Sequence, residues 1–212
     1  MKDIPIFNTD HGIASLMLKE IPYKEIAYIQ VQDVQPGQMD LLIDECAAFC
    51  RAAGAEQIYL CGHDAPEGYP LVCRLVLMSG PADQEYEGNL WPVTRENVEQ
   101  FRSIYNEKMS CVDHSQTLTR WDEKRIIDSG GAYFVHRDGK LLGIGWVDEN
   151  TILCLASMIP GEGRNVLGAL LSVVDGDTAR VEVASTNARA IHLYEKMGFV
   201  QTGEGFGYYK VR

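Results

Sequence analysis

The sequence predicts an α/β protein built on a mixed sheet, and three observations predict it. Apolar stretches with strand character alternate with amphipathic helical stretches along all 212 residues, the pattern of helices packed on a sheet. "AYFVHRDGKLLGIGWV" reads as an antiparallel hairpin, because Asp138-Gly139 suits the tight turn that matches strand twist. "TILCLASMI", residues 151–159, is apolar on both faces, as a central strand covered from both sides must be.

Each element follows from its own residues. "GIASLMLKEI" and "KEIAYIQVQDV" carry β-favouring side chains on either side of a Pro-Tyr turn. "GQMDLLIDECAAFCRAAG" has helical spacing in Leu41, Leu42, Cys46, Phe49, Cys50 and Ala53, and stops at Gly54. "QIYLCG" and "LVCRLVLMSG" are strands. Residues 79–89, "SGPADQEYEGN", hold Gly, Pro and acids with almost nothing to bury, which marks the expected linker. It divides an N-terminal α/β half, residues 1–88, from a second domain, residues 89–212.

The second domain opens with a short strand at "LWPV", a helix capped by Thr94, and a helix running from after Thr119 to Gly130-Gly131. After the hairpin and central strand, Val166, Leu167, Leu170, Leu171 and Val174 lie on one face of a helix. "ARVEVAS" is a strand, "NARAIHLYEKM" a helix and "FGYYKV" a last strand. The two halves share a pattern. "EIAYIQVQDVQPGQ" with its helix and strand parallels "TILCLASMIPGEG" with its own, and both turn at Pro-Gly. That pattern raises internal duplication, with the first half a degenerate partial copy.

Composition narrows function. Hydrophobic residues are 46% and charged residues 23%, an ordinary globular mix. A net charge of -11 leaves no basic face for a phosphate backbone, so no nucleic-acid partner is expected. The same acidity favours cationic substrates such as amines, although ordinary cytosolic acidity is the simpler account. No apolar run approaches transmembrane length and "MKDIPIFNTD" lacks a signal-peptide stretch, so a cytoplasmic protein without membrane contact is expected. Cys46, Cys50, Cys61, Cys73, Cys111 and Cys154 include no CxxC pair, which argues for reduced, buried thiols and against a metal site.

The order strand, two helices, hairpin, central strand, helix, strand, helix, strand resembles the GCN5-related N-acetyltransferase (GNAT) family. The residues carrying the likeness are "VEVASTNARAIHLYEKMGF", residues 181–199: a strand, an Asn, an Ala three residues later, and Leu-Tyr-Glu before Gly-Phe. They are most similar to the ribosomal-protein alanine acetyltransferases. The likeness covers roughly residues 89 to 212. It implies an acyl-CoA N-acyltransferase fold, acetyl-CoA as co-substrate, and a small-molecule or peptide amine as acceptor, with oligomeric state open.

Local chemistry fits that stretch. Asn187 suits a helix N-cap, Gly198 the left-handed position after the helix, and Phe199 a contact back onto the last turn. Ala190, Ile191, Tyr194 and Met197 form the inward stripe. On periodicity alone Tyr194 is a core aromatic with its hydroxyl at the rim; the resemblance makes it the acid that protonates the departing coenzyme A thiolate. Glu182, between Val181 and Val183, is on its own a solvent-facing strand carboxylate. The resemblance makes it the proton acceptor, since a protonated amine cannot attack a thioester. Asp148 and Glu149 are the other candidate bases. His114, His136 and His192 read as surface or hydrogen-bonded histidines.

"IPGEGRNVLGALL", residues 159–171, leads the central strand into its helix. In the family this loop reads Arg or Gln, two positions, Gly, one position, then Gly or Ala; here Glu162 takes the first place, while Asn165 and Leu167 replace the small residues. Two readings follow. Glu162 turns onto the helix amides itself, or the loop is a weakened anion site with Arg164 as the nearby cation. By resemblance Leu155, Ala156 and Ser157 would bond the pantetheine arm through their backbone. Amides of Gly163, Arg164, Asn165, Val166, Leu167 and Gly168 would meet the diphosphate, and Asn187 would touch the cofactor. No metal is required. A non-catalytic acyl-CoA sensor, or an interaction scaffold on the same fold, is the other function the altered loop allows.

Overall fold

The computed structural model describes residues 2–64 and 66–212. They form two compact units, Met1–Leu75 with Gly205–Arg212, and Val76–Glu204. The division falls inside two strands, β5 (Leu71–Pro81) and β11 (Val200–Lys210), and not at residue 88. Part of the expected linker, residues 79–81, belongs to β5. Gly80 is buried there, and a Cβ on it would come within 2.4 Å of the Phe199 ring. Residues 82–88 then run without helix or strand inside the second unit. The segment expected as a linker is thus strand at both ends and irregular between, within the second unit.

The first unit begins with an antiparallel meander of β1 (Ile4–Thr9), β2 (Gly12–Met17) and β3 (Ile26–Val34). β1 tolerates Pro5 because it lies at the sheet edge. The Pro-Tyr turn is a one-turn helix, α1 (Ile21–Lys24), ended by Glu25 in the left-handed region at φ 58. Helix α2 (Met39–Ala52) crosses over to β4 (Gln57–Gly62), which runs parallel to β3 and antiparallel to residues 207–210 of β11. The inward face of α2 is Leu42, Ile43, Cys46, Ala47 and Cys50. Leu41 and Phe49, expected inside, are 48% and 38% exposed. Ile43 and Ala47 extend the 42/46/50 stripe, which leaves Leu41 on the outer side.

In the second unit the strand order is β5-β10-β9-β8-β7-β6. Strands β6 (Asn89–Pro92), β7 (Ala132–Arg137), β8 (Lys140–Asp148) and β9 (Thr151–Ser157) are antiparallel in sequence order. The β7–β8 turn has Asp138 at φ 50 and Gly139 at φ 74, the positive pair that a primed hairpin turn requires. Helix α5 (Gly163–Leu171) carries the chain to β10 (Thr178–Ala184), parallel to β9. Helices α3 (Val98–Met109) and α4 (Arg120–Ser129) pack through Phe101 and Ile126 on Phe134, Ile144 and Trp146. A separate core joins α5 and α6 (Ala188–Lys196) through Val166, Leu170, Val181 and Tyr194.

Thr119 caps α4 in a box with Asp122. Thr94 does not cap α3: the helix starts at Val98 with Asn97 in the cap position, and Asn97 Oδ1 instead accepts the Thr94 N–H at 2.7 Å. Cys46, Cys50, Cys73 and Cys154 are buried, Cys61 is half-buried, and Cys111 is exposed. Among the described residues no helix is long and apolar enough to cross a membrane.

Candidate active site

Strands β9 and β10 are neighbours for only a short distance. Among the described residues, Arg180 pairs with Thr151 and Val181 with Ile152, and the ladder stops there. Along its other edge β9 stays paired with β8, where Gly145, Ile144 and Gly143 oppose Leu155, Ala156 and Ser157. Residues 154–157 therefore have ladder partners on one side only. Backbone polar groups on the other side need a partner from elsewhere. The β8–β9 register also slips between Trp146 and Val147, which makes Leu153 the extra residue of a bulge. Its side chain is 49% exposed, unusual for a central strand.

Tyr194 belongs to the helix after β10. Asn187 caps that helix, its Oδ1 accepting the Ala190 N–H at 3.2 Å, and Gly198 takes φ 82 after its end. Tyr194 turns into the core, with its ring centroid 5.6 Å from that of Phe199. Burial, and then the Cys154 thiol, push the Tyr194 hydroxyl above its ordinary value of 10.0, so it keeps its proton at neutral pH. Cys154 lies in the stretch of β9 that lacks a β10 partner, and burial pushes its thiol up to about 12. A proton-bearing phenol thus stands near the one-sided part of β9.

Glu182 is exposed, on the sheet face opposite Val181 and Val183, as strand alternation predicts. It follows the last residue of β10 that pairs with β9. Asp148 and Glu149 sit in the β8–β9 turn, next to the paired end of β9. At ~3.3 Å per residue that end is ~20 Å from Ser157. His192 is on the surface, and His114 has φ 57 in the segment between α3 and α4. His136 departs from expectation: its buried Nδ1 has no hydrogen-bond partner among the described residues.

The loop before α5 is not capped by the carboxylate of its own Glu162. Glu162 is the N-cap residue, yet its side chain makes no capping bond. Its carboxylate turns to Arg137 instead, with Oε1 accepting from Nη2 at 2.6 Å, while Oε2 accepts from Asn165 Nδ2 at 2.8 Å. Asn165, then Arg137, hold the Glu162 carboxyl below its ordinary value. Asn165 Oδ1 in turn accepts the Glu87 N–H at 3.1 Å, and Arg137 Nη1 lies 3.2 Å from the Glu87 carboxylate. These contacts fasten residues 82–88 to the head of α5. Gly168 completes the fit, because a Cβ there would come within 2.6 Å of Tyr86 Cβ.

Of the six residues expected to offer amides to a diphosphate, three are spent. Val166 already donates to the Glu162 carbonyl at 3.0 Å, and Leu167 and Gly168 lie further into the helix ladder. Gly163, Arg164 and Asn165 precede the first helical bond. No local pattern marks Arg137, because it ends β7, 25 positions from the Glu162 that heads α5.

No protein-family model matches the chain, and no curated protein matches it. Solved structures do. One is a GCN5-related N-acetyltransferase from Sphaerobacter thermophilus, with TM-score 0.61 and 12% identity over 94% of this chain and 76% of that one. Another, from Anabaena variabilis ATCC 29413, has TM-score 0.60 and 11% identity over 93% and 59%. The fold is that of the GCN5-related N-acetyltransferases. A conserved protein of unknown function from Staphylococcus epidermidis ATCC 12228 is also similar, with TM-score 0.62 and 10% identity over 96% of this chain and 92% of that one. At these identities the likeness is one of fold. The likeness to the GNAT fold reaches well beyond residues 89–212, since both GCN5-related matches take in more than nine-tenths of the chain.

Proposed function

We propose that the chain is an N-acetyltransferase that moves an acetyl group from acetyl-CoA to a primary amine by direct attack. One observation carries the reading: the β9–β10 ladder ends after two rows, and a buried, protonated phenol lies near the stretch left without partners. The pantetheine arm bonds the backbone of Leu155, Ala156 and Ser157. Gly163, Arg164 and Asn165 offer the diphosphate the first amides of α5. The Asn187 carbonyl oxygen caps its helix, which leaves the amide nitrogen for the cofactor.

Glu182 takes a proton from the acceptor ammonium, directly or through a water. The free amine attacks the thioester carbonyl, a C–N bond forms, and an amide of β9 stabilises the oxyanion. The C–S bond breaks as Tyr194 gives its proton to the thiolate, and the proton shed by the new amide nitrogen passes through solvent to restore the phenol. Likeness of residues 181–199 to the alanine acetyltransferases favours a peptide N-terminus as acceptor over a small amine. The first unit shares the order meander, helix, parallel strand with the second. We read it as a degenerate copy.

A sensor that binds acyl-CoA without turnover has one observation in its favour. Two carboxylates, Glu162 and Glu87, face the single guanidinium of Arg137 beside the diphosphate site. The deciding experiment is purified protein with acetyl-CoA and a broad amine panel, read by release of free thiol. Amine-dependent release supports the enzyme. Binding without release from any amine supports the sensor, and no binding supports a scaffold.

A further inference from the structure

We infer that Arg137 binds the diphosphate of the acyl donor, and that the Glu87 carboxylate stands in for that anion in the free chain; this rests on the acyltransferase reading. The loop lacks a cation where Glu162 stands, and Arg137 brings one from the end of β7. Glu162 is the N-cap residue, so a guanidinium bonded to it lies beside the end of α5 that leads with free amides. The planar fork of arginine suits phosphate oxygens better than a point charge does.

The two carboxylates on Arg137 are not equivalent. Glu162 is 19% exposed, contacts Nη2 at 2.6 Å and is braced by Asn165. Glu87 is 77% exposed and lies 3.2 Å from Nη1. Exposed pairs of that kind contribute little. An incoming diphosphate can therefore displace Glu87 while Glu162 keeps the guanidinium aimed.

A purely structural bracket makes a different prediction. If Arg137 and Glu87 served only to fasten residues 82–88, removing either would act in the same direction. As ligand and stand-in, they act in opposite directions. Calorimetry with acetyl-CoA, and with acetyl-pantetheine as a probe lacking the diphosphate, separates the two. Arg137→Gln should weaken acetyl-CoA binding roughly ten- to hundred-fold, the scale of a lost charge-assisted contact. Glu87→Gln should tighten it, Arg137→Lys should restore part of the affinity, and acetyl-pantetheine should respond to none of them. Acetyl-CoA affinity indifferent to Arg137, or both neutral variants shifting it the same way, overturns the inference alone. If wild type binds acetyl-pantetheine but not acetyl-CoA, the diphosphate inference falls while the thioester site stands. If it binds neither, both fall.

Discussion

At the scale of single residues, the proposed mechanism gives Tyr194 and Glu182 separable tasks. Tyr194→Phe removes one hydroxyl and keeps the ring that packs near Phe199. Turnover should fall by roughly ten- to ten-thousand-fold with acetyl-CoA affinity retained; wild-type turnover would return Tyr194 to the core. Because its hydroxyl is held above 10.0, the acid form persists as pH rises through that value. No alkaline fall in rate below pH 10 should then trace to Tyr194. Glu182→Gln cannot accept a proton, so the acidic limb of the rate profile should change, and an unaltered profile would remove it from the mechanism. The placement of these two side chains, and the Asn187 cap, were legible in the sequence because strand alternation, helix period and capping are local rules, while their proposed roles came from the resemblance alone. The contact of Arg137 with Glu162 was not, because it joins β7 to α5 and no local pattern marks it.

At the scale of elements, the long strand β5 and the loop after it invite direct tests. Gly80→Ala would push a Cβ to within 2.4 Å of the Phe199 ring. Destabilisation of about 1–3 kcal/mol, the usual scale of overpacking, should appear in urea unfolding. The loop of residues 82–88 depends on Glu162. Its carboxyl is held below the ordinary 4.5, so the stabilisation is in place above that value and is lost as pH falls through the lower folded one. Hydrogen exchange at the Glu87 amide should quicken in acid, and Glu162→Gln should reproduce the change at neutral pH. An amide equally protected in both would mean that Asn165 holds the loop without Glu162. Composition showed that this segment is irregular but not that it packs, since its partners Asn165 and Gly168 lie far along the chain. The inward face of α2 was misjudged for a related reason: Leu41 and Phe49 are apolar yet exposed, and periodicity cannot say which side of a broad stripe meets the sheet.

At the scale of the molecule, the mixed α/β class was legible because hairpin, central strand and crossover helix each have their own residue pattern. The boundary between units was not. β5 and β11 each contribute residues to both units, and neither sequence changes character at residue 75 or 204. In the proposed mechanism the acyl donor lies along the edge of β9 that β10 leaves unpaired. Hydrogen exchange at residues 154–157, with and without saturating acetyl-CoA, tests it most directly. The prediction is slower exchange there and at Gly163, Arg164 and Asn165, with the β7–β8 hairpin unchanged. Bound acetyl-CoA that leaves residues 154–157 exchanging as fast as in the free chain would contradict it.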